Sequence, residues 1–417
     1  TSNDAIDFLN RNKVKSIIID HHEISKPYPK ANSIINPKKN NGYIEYDYMC
    51  ATTLVYFFLE LFIKQIDNKI ILKDYLILVL LAIVCDVMPI RKINRIIALN
   101  ALKEFKIEKS YMISEIFNLI EKKSKLNIND LGYLIGPILN AGGRLGKSSY
   151  ATELLSTNDK EIINQKSIKL INLNNKRKEI ERLTLKEIDF DNIDKENNNI
   201  IIYYNANINE GLIGIIAARL KDHFNKPSIV ITRSGDLLKG SARSTYNYDI
   251  GLAIRNAKDC NIIHIGGGHK MAAGFSLKNK NLKDFKNFIF RDFINKCAKI
   301  NQLFNYDSEL SSSAFNKEFF TDIKKIGPFG TGNPVPTFLF KDLKVIKNTI
   351  LKDKHISSIL KSKSNISINA ISFDSIHNKI GEYLLNYKKN FNVIGHINEN
   401  FWNNKNTLQL TITDIIL

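Results

Sequence analysis

Cysteine is sparse and scattered: Cys50, Cys85, Cys260 and Cys297 form no C-x-x-C pair, which excludes a zinc module or a dense disulfide framework and fits a reducing compartment. Long apolar runs are missing too. The longest, from Tyr75 to Cys85 (YLILVLLAIVC), falls short of the roughly 20 residues that cross a bilayer, and no signal peptide opens the chain. A soluble, cytoplasmic protein is expected. Acid is the scarcer charge: 42 Asp+Glu against 60 Lys+Arg leave a formal charge of +18. Such an excess attracts polyanions, nucleic acid first among them. The chain is also crowded with Lys, Asn and Ile, which an AT-rich genome favours whatever the function, so charge alone is weak evidence. No internal repeat is found. At 417 residues, 44% of them apolar, the chain suits two or three domains that each bury a core.

Glycine and proline are absent between Tyr150 and Phe190. That stretch is rich in Lys, Glu, Asn and Leu, with Leu173, Ile180 and Leu183 at helical spacing. It predicts a long connecting helix, broken near Asn158-Asp159, with charged faces in solvent. Before it, a helix (Ala5, Ile6, Leu9) leads into a buried strand over 14–19, which stops at Asp20-His21-His22. Helical patterns follow at about 50–65, 72–85 and 92–104, so an α/β domain is expected to about residue 150. After a polar linker at 196–199, Ile200 to Tyr204 restarts a β pattern. A second α/β domain then runs to about residue 300, with a helix over 214–224, a strand over 228–232 and two Gly-rich turns. From Gln302 onward short strands are expected, with turns at Gly327-Pro328, Gly332-Asn333-Pro334 and Asn403-Asn404 and a closing alternation over 408–413. A small barrel of the OB type is the economical reading.

Polar residues that end an apolar strand are better site candidates than the same residues inside a helix. Asp20-His21-His22 has that placement, and imidazole with carboxylate suits Mn²⁺ or a similar ion. Taken alone, the tripeptide is better explained by two exposed loop histidines and a helix-capping Asp. Asp86 shifts that balance. It ends the apolar run at a helix C-terminus, where the dipole disfavours a carboxylate unless a cation is near. Three segments then join small residues to one Arg or His: 136–145 (GPILNAGGRL), 240–244 (GSARS) and 266–274 (GGGHKMAAG). Small residues let backbone N–H groups approach a phosphate, and the cation completes the site. Any one of them is as well explained by a tight turn with a solvated charge; three beside a D-H-H are not.

Taken in order, IIIDHH, IINP, IVCDVMP, GPILNAGGRLG, NEGLIGIIAARL, GSARS, GGGHKMAAGFS, IGPFGTGNPVPTF and LQLTITDI resemble the landmarks of the RecJ family of single-stranded-DNA exonucleases, within the DHH phosphoesterase superfamily. The resemblance covers essentially the whole chain. It implies an α/β fold: a DHH domain (1–149), a connecting helix (150–195), a DHHA1 domain (196–301) and a C-terminal OB-like β-barrel (302–417) that binds nucleic acid. It implies metal-dependent 5′→3′ hydrolysis of single-stranded DNA in recombination and repair, with two Mn²⁺ or Mg²⁺ ions in the full-length protein. DNA would thread the cleft between the two α/β domains, and the barrel would grip it through basic groups and stacked aromatics, Phe401 and Trp402 being candidates.

Carried over position by position, His21 and Asp86 are expected as metal ligands, Asp20 as the group that orients or assists the cluster, and His22 as the residue facing the scissile phosphate. Arg144, Ser241, Arg243, Gly267, Gly268 and His269 are expected to hold DNA phosphates. The resemblance also implies a monomer, with a single-strand-binding protein and a RecQ-like helicase as partners. Two departures stand out. Further metal-binding aspartates of the family would precede Thr1, so the chain is expected to lack part of its site and to be inactive as it stands. Ile208-Asn209 also stands where the family often has Trp-His. The rival readings are a DHH phosphodiesterase of short oligonucleotides or cyclic dinucleotides, and a nucleic-acid-binding protein without catalysis.

Overall fold

The computed structural model describes all residues except 1–2, 25, 40, 67–69, 197, 298–304, 377, 388 and 403–404. The expected turn at Asn403-Asn404 and the junction near residue 302 lie outside the described residues, as do the side chains of Phe401 and Trp402. The chain divides into two compact units: Thr1–Lys109 with Lys125–Gly132 and Phe304–Leu417, and Ser110–Ser124 with Tyr133–Leu303.

The first unit opens with α1 (Asn3–Arg11), β1 (Ile17–Ile19), β2 (Ser33–Ile35), α2 (Ala51–Ile63), α3 (Leu76–Cys85) and α4 (Lys92–Glu104). Strands β1 and β2 pair in parallel. The expected buried strand is shorter and half-exposed, with Val14 and Ile17 in solvent; among the described residues β1 pairs with β2 alone, so its apolar side chains have little to pack against. Helix α3 is apolar all round (LILVLLAIVC) and buries Ile77, Val79, Leu80, Leu81 and Ile83, as a helix enclosed by others must. It ends at Asp86, and Val87 turns the chain away at φ +56°.

The second unit contains α5 (Tyr111–Leu119), α7 (Gly136–Leu145), α8 (Ser149–Ser156), α9 (Lys160–Glu187) and α10 (Phe190–Lys195); the short α6 (Ile128–Asp130) belongs to the first unit. The break foreseen at Asn158-Asp159 is real, because Asp159 caps α9 by accepting from the N–H groups of Glu161 and Ile162. At 28 residues α9 is about 42 Å long. It buries Ile163, Ser167, Leu170, Asn174 and Glu181 rather than Leu183, which is exposed. One charged group of the helix is therefore inside.

A five-stranded sheet follows, built from β3 (Ile201–Tyr204), β4 (Ser228–Ser234), β5 (Leu237–Arg243), β6 (Ile265–His269) and β7 (Ala272–Lys278), with α11 (Ile213–Phe224), α12 (Ile250–Asp259) and α13 (Leu282–Cys297). Its order is β3-β4-β5-β7-β6, and only β3 and β4 are parallel. Alternation splits the two faces. Ile229, Ile231, Leu238 and Ala242 join the core with α12 and α13, whereas Ile201 and Val230 join the one with α11. The two Gly-rich turns expected here are corrected: Gly240 to Arg243 lie in β5 and Gly266 to His269 in β6, so their glycines serve close packing within a sheet.

The chain ends in β8 (Ser308–Leu310), α14 (Lys317–Ile326), β9 (Phe338–Leu351), β10 (His355–Ser362), β11 (Ser367–Ser372), α15 (Lys379–Asn386), β12 (Phe391–Trp402) and β13 (Lys405–Ile416). The ladder β9-β10-β11-β13-β12 returns to β9 and closes a five-stranded barrel, with β8 added outside. Three of its strands run 12 to 14 residues, longer than expected, because bulges at Ile359/Leu360 and Ile394/Gly395 let one strand bend around the barrel. Among the described residues no helix is long and apolar enough to cross a membrane.

Candidate active site

Each compact unit assembles one group of the expected site residues. In the first, the N–H of Asp20 donates to Ile35 O at 3.0 Å and continues the β1–β2 ladder by one step. The Asp20 carboxylate does not cap a helix. Its Oδ1 accepts the N–H groups of His21 (2.8 Å) and His22 (3.3 Å) and meets His22 Nδ1 at 2.7 Å, folding the tripeptide back on itself. Burial pushes the Asp20 carboxyl up, but the bond to the His22 ring and the two backbone N–H groups outweigh it and bring it down to about 2. Asp20 is thus ionised at neutral pH and holds the His22 proton on Nδ1. The explanation of the tripeptide as two exposed loop histidines fails for His21, which is buried.

His21 Nε2 lies 2.9 Å from Asp86 Oδ2, joining the end of β1 to the end of α3. Its Nδ1 is buried without a hydrogen-bond partner, an omission that costs about 1–3 kcal/mol unless another group satisfies it. Asp20, His21 and His22 each present a ligand atom, all within 4.8 Å of one another. With mixed imidazole and carboxylate donors and an orphaned ring nitrogen, these residues fit a divalent ion of the Mn²⁺ class. Asn36 completes the arrangement: buried at the end of β2, it donates from Nδ2 to His22 O at 3.0 Å and accepts from Lys38 N–H at 2.9 Å. Sequence reasoning used Ile34-Ile35-Asn36-Pro37 only as a landmark; an Asn-Pro closing the strand beside D-H-H was the available signal.

In the second unit, Arg144, from the last turn of α7, donates from Nη1 to Gly211 O at 2.9 Å. The chain passes so close that a Cβ on Gly211 would lie 2.5 Å from Arg144 O. Ser241 and Arg243 stand two residues apart on β5, on the face opposite Ala242 and therefore toward α11, and Arg243 Nη1 meets Ser241 Oγ at 3.2 Å. A Cβ on Gly214, in the first turn of α11, would lie 3.0 Å from both Arg243 Nη2 and Ser241 Oγ. Desolvation, then the charge of Arg144, holds the Arg243 guanidinium below its ordinary value. Desolvation and Arg177 act likewise on Arg144 against Glu181, with smaller consequence because Arg144 is exposed as a residue. Neither arginine has a carboxylate partner among the described residues. Two crowded cations at a helix N-terminus form a cradle chemically suited to an anion.

Register extends the cradle across the sheet. Ser241, Gly274 and Gly267 form one row over β5, β7 and β6, and Arg243, Ala272 and His269 form the next. A Cβ on Gly267 would meet nothing within 4 Å, so the row beside Ser241 is a floor without side chains. Gly268 sits on the other face at φ +159°, where a Cβ would lie 2.3 Å from Ala272 O, and its carbonyl accepts from Arg255 Nη1 at 2.8 Å. His269 is exposed and makes no bond to the arginines. Sequence reasoning missed Arg255, and also Glu181, whose buried carboxylate accepts from Arg177 (3.1 Å) and Arg219 (2.7 Å) and ties α9 to α11. Ile208, where Trp-His was the alternative, is core, and Asn209 accepts from Gly211 N–H to start the turn into α11.

Three family models match the chain: the DHH family N-terminal domain over 1–83, the DHHA1 domain over 197–296 and the RecJ OB domain over 306–414. The chain belongs to the RecJ family. It is 29% identical over 403 residues to the single-stranded-DNA-specific exonuclease RecJ of Haemophilus influenzae, covering 90% of this chain and 69% of that protein. The RecJ of Bacillus subtilis is 24% identical over 412 residues, covering 95% and 50%. In fold, the chain matches the crystal structure of Thermus thermophilus RecJ in complex with Mn²⁺ with a TM-score of 0.83 at 20% identity, covering 100% of this chain and 60% of that one. The chain thus spans half to about two thirds of the length of these relatives.

Proposed function

We propose that this chain carries metal-binding residues and the phosphate-gripping surface of a metal-dependent 5′→3′ exonuclease of single-stranded DNA, its RecJ relatives being named single-stranded-DNA-specific exonucleases. The observation that supports this most is the cluster at the end of β1, where donor atoms of Asp20, His21 and His22 lie within 4.8 Å and Asp86 joins through His21 at 2.9 Å. Asp20, His21 and Asp86 would hold a divalent ion, which when bound lowers the pKa of a water and neutralises phosphoryl charge. The chain's own residues do the rest. Asp20 accepts from His22 Nδ1 and orients the ring that would face the scissile phosphate. Arg144, Ser241, Arg243 and the Gly267 floor bind and orient the phosphates, with Gly268 close-packed on β7 beside His269 at the end of β6. The barrel would track the strand beyond, and a polar recess of about 270 Å³ lined by Lys347, Ser357, Asn369, Asn400 and Gln409 is a place for it to do so. A single-strand-binding protein and a RecQ-like helicase would be its cytoplasmic partners.

The test is Mn²⁺-dependent digestion of single-stranded DNA blocked at one end, by protein containing this chain. Loss of products on 5′ blocking, and their abolition by His21→Ala or Asp86→Ala, is the expected outcome. Digestion from the 3′ end would refute the polarity. Turnover of dinucleotides alone would favour the oligonucleotide phosphodiesterase, and salt-sensitive binding without products the non-catalytic reading.

A further inference from the structure

The segment Ile326 to Asn333 (IGPFGTGN) belongs to a landmark of the resemblance that no role given above uses. It packs, within the same compact unit, on the loop that follows Asp86. Ile90, only 2% exposed, donates its N–H to Thr331 O at 2.6 Å. A Cβ on Gly330 would come within 2.9 Å of Ile90 Cγ1, and one on Gly332, at φ +72°, within 2.7 Å of Pro89 Cβ. Both glycines are thus needed for the approach, Gly332 also for its backbone.

Two further residues close the clamp. Arg95, from the first turn of α4, reaches the last carbonyls of α14, with Nη2 at 2.8 Å from Gly327 O and 3.2 Å from Ile326 O. A cation there meets the negative end of the helix. Asn333 Nδ2 donates to Ile326 O (3.2 Å) and Pro328 O (3.0 Å) and keeps the turn shut. From below, fully buried Asn94 donates to Pro89 O (3.0 Å) and Tyr48 O (2.7 Å). The loop carrying Asp86 is therefore held on one side by α4 and on the other by the barrel's turn.

We infer that the turn from Ile326 to Asn333 is a positioning strut for Asp86, so that the affinity of the metal site depends on the docked barrel. The inference rests on Asp86 being a ligand, as proposed above. Asp86 itself sits at a helix end and is about half-exposed, with a left-handed Val87 behind it. Its backbone N–H donates to Ala82 O at 2.9 Å and its carboxylate meets His21 Nε2 at 2.9 Å, and the strut adds a constraint on the loop that follows it.

The experiment compares the parent protein with Gly332→Ala, Arg95→Ala and Asp86→Ala. Mn²⁺ affinity is measured by titration calorimetry, hydrogen exchange at the Ile90 amide, and thermal unfolding. Gly332→Ala and Arg95→Ala should speed exchange at Ile90 and weaken Mn²⁺ binding by about tenfold, the lower end of what support groups contribute to metal sites. Arg95→Lys, which keeps the cation, should restore part of the loss. If Gly332→Ala does not fold, Arg95→Ala on the surface of α4 carries the comparison. Unchanged Mn²⁺ affinity in the strut variants, while Asp86→Ala still weakens it, overturns the inference, whatever happens to unfolding. Unchanged affinity in Asp86→Ala, or no Mn²⁺ binding by the parent, removes the reading of Asp86 and the strut with it.

Discussion

Replacing Gly214 by alanine puts a methyl group into the cradle between β5 and α11 without altering a charge. The new Cβ would stand 3.0 Å from Arg243 Nη2 and from Ser241 Oγ and 3.7 Å from Arg243 Cζ. The guanidinium is the flexible partner and gives way, leaving the position in which it meets Ser241. A hydrogen bond to a charged group is worth about 1.5–3 kcal/mol, so losing one phosphate contact should weaken binding by roughly 10- to 100-fold. The fold should not suffer, because alanine is favoured over glycine within a helix by about 0.8–1.0 kcal/mol. Fluorescence anisotropy with 5′-phosphorylated single strands at several salt concentrations separates the causes. Arg243→Ala should lower the slope of log K against log salt by about 0.7, the contribution of one phosphate contact on a single strand. Gly214→Ala should shift the line down with a smaller change in slope. A Gly214→Ala protein that binds within twofold of the parent, with an equal or higher unfolding temperature, would refute the assignment of the cradle.

His396, half-buried in β12, is held below its ordinary value by desolvation, so the folded state favours the neutral ring. The unfolded chain binds the extra proton as pH falls below about 6.5. Barrel stability should then be complete above that pH and decline below it, and His396→Gln should flatten the decline in thermal melts between pH 7 and 5. Gly240→Ala would place a Cβ 2.0 Å from Phe275 Cζ in the core where Phe275 packs on Phe285. It should lower stability by about 1–3 kcal/mol in denaturant titration, the usual effect of overpacking.

Much of the chain was legible because its periodicities are local. The apolar run of α3 and the Asp at its end, the break before α9 and the closing strand all follow from neighbouring residues. The errors arise where a partner decides. Residues 14–19 are apolar enough for a buried strand, but burial needs neighbours on both sides, and β1 has β2 alone among the described residues. Glu181 was counted among solvent charges because nothing within α9 announces that Arg177 and Arg219 converge on it. Ile326 to Asn333 carried ordinary turn signals; that the turn is shaped to fit Pro89 and Ile90, more than two hundred residues earlier, exists only in the tertiary structure.

The glycine-rich segments show how far local reading reaches and what must be added. Reading Gly-Ser-Ala-Arg and Gly-Gly-Gly-His as turns assigns every glycine the same task, freedom of the backbone. As strands they have different tasks, set by alternation. Gly240 and Gly266 face the α12–α13 core and make room for Phe275, while Ser241, Arg243 and Gly267 lie on the other face. The pairing Ser241–Gly274–Gly267 then sets two glycines in line with the one hydroxyl of the cradle. Neither strand supplies that floor by itself, since a one-residue slip of β7 would put Ala273 beside Ser241 and carry a methyl group onto it. The proposed phosphate site is therefore a property of register, and the residues that guarantee register are those that bury Ala242, Phe275 and Leu277 on the opposite face.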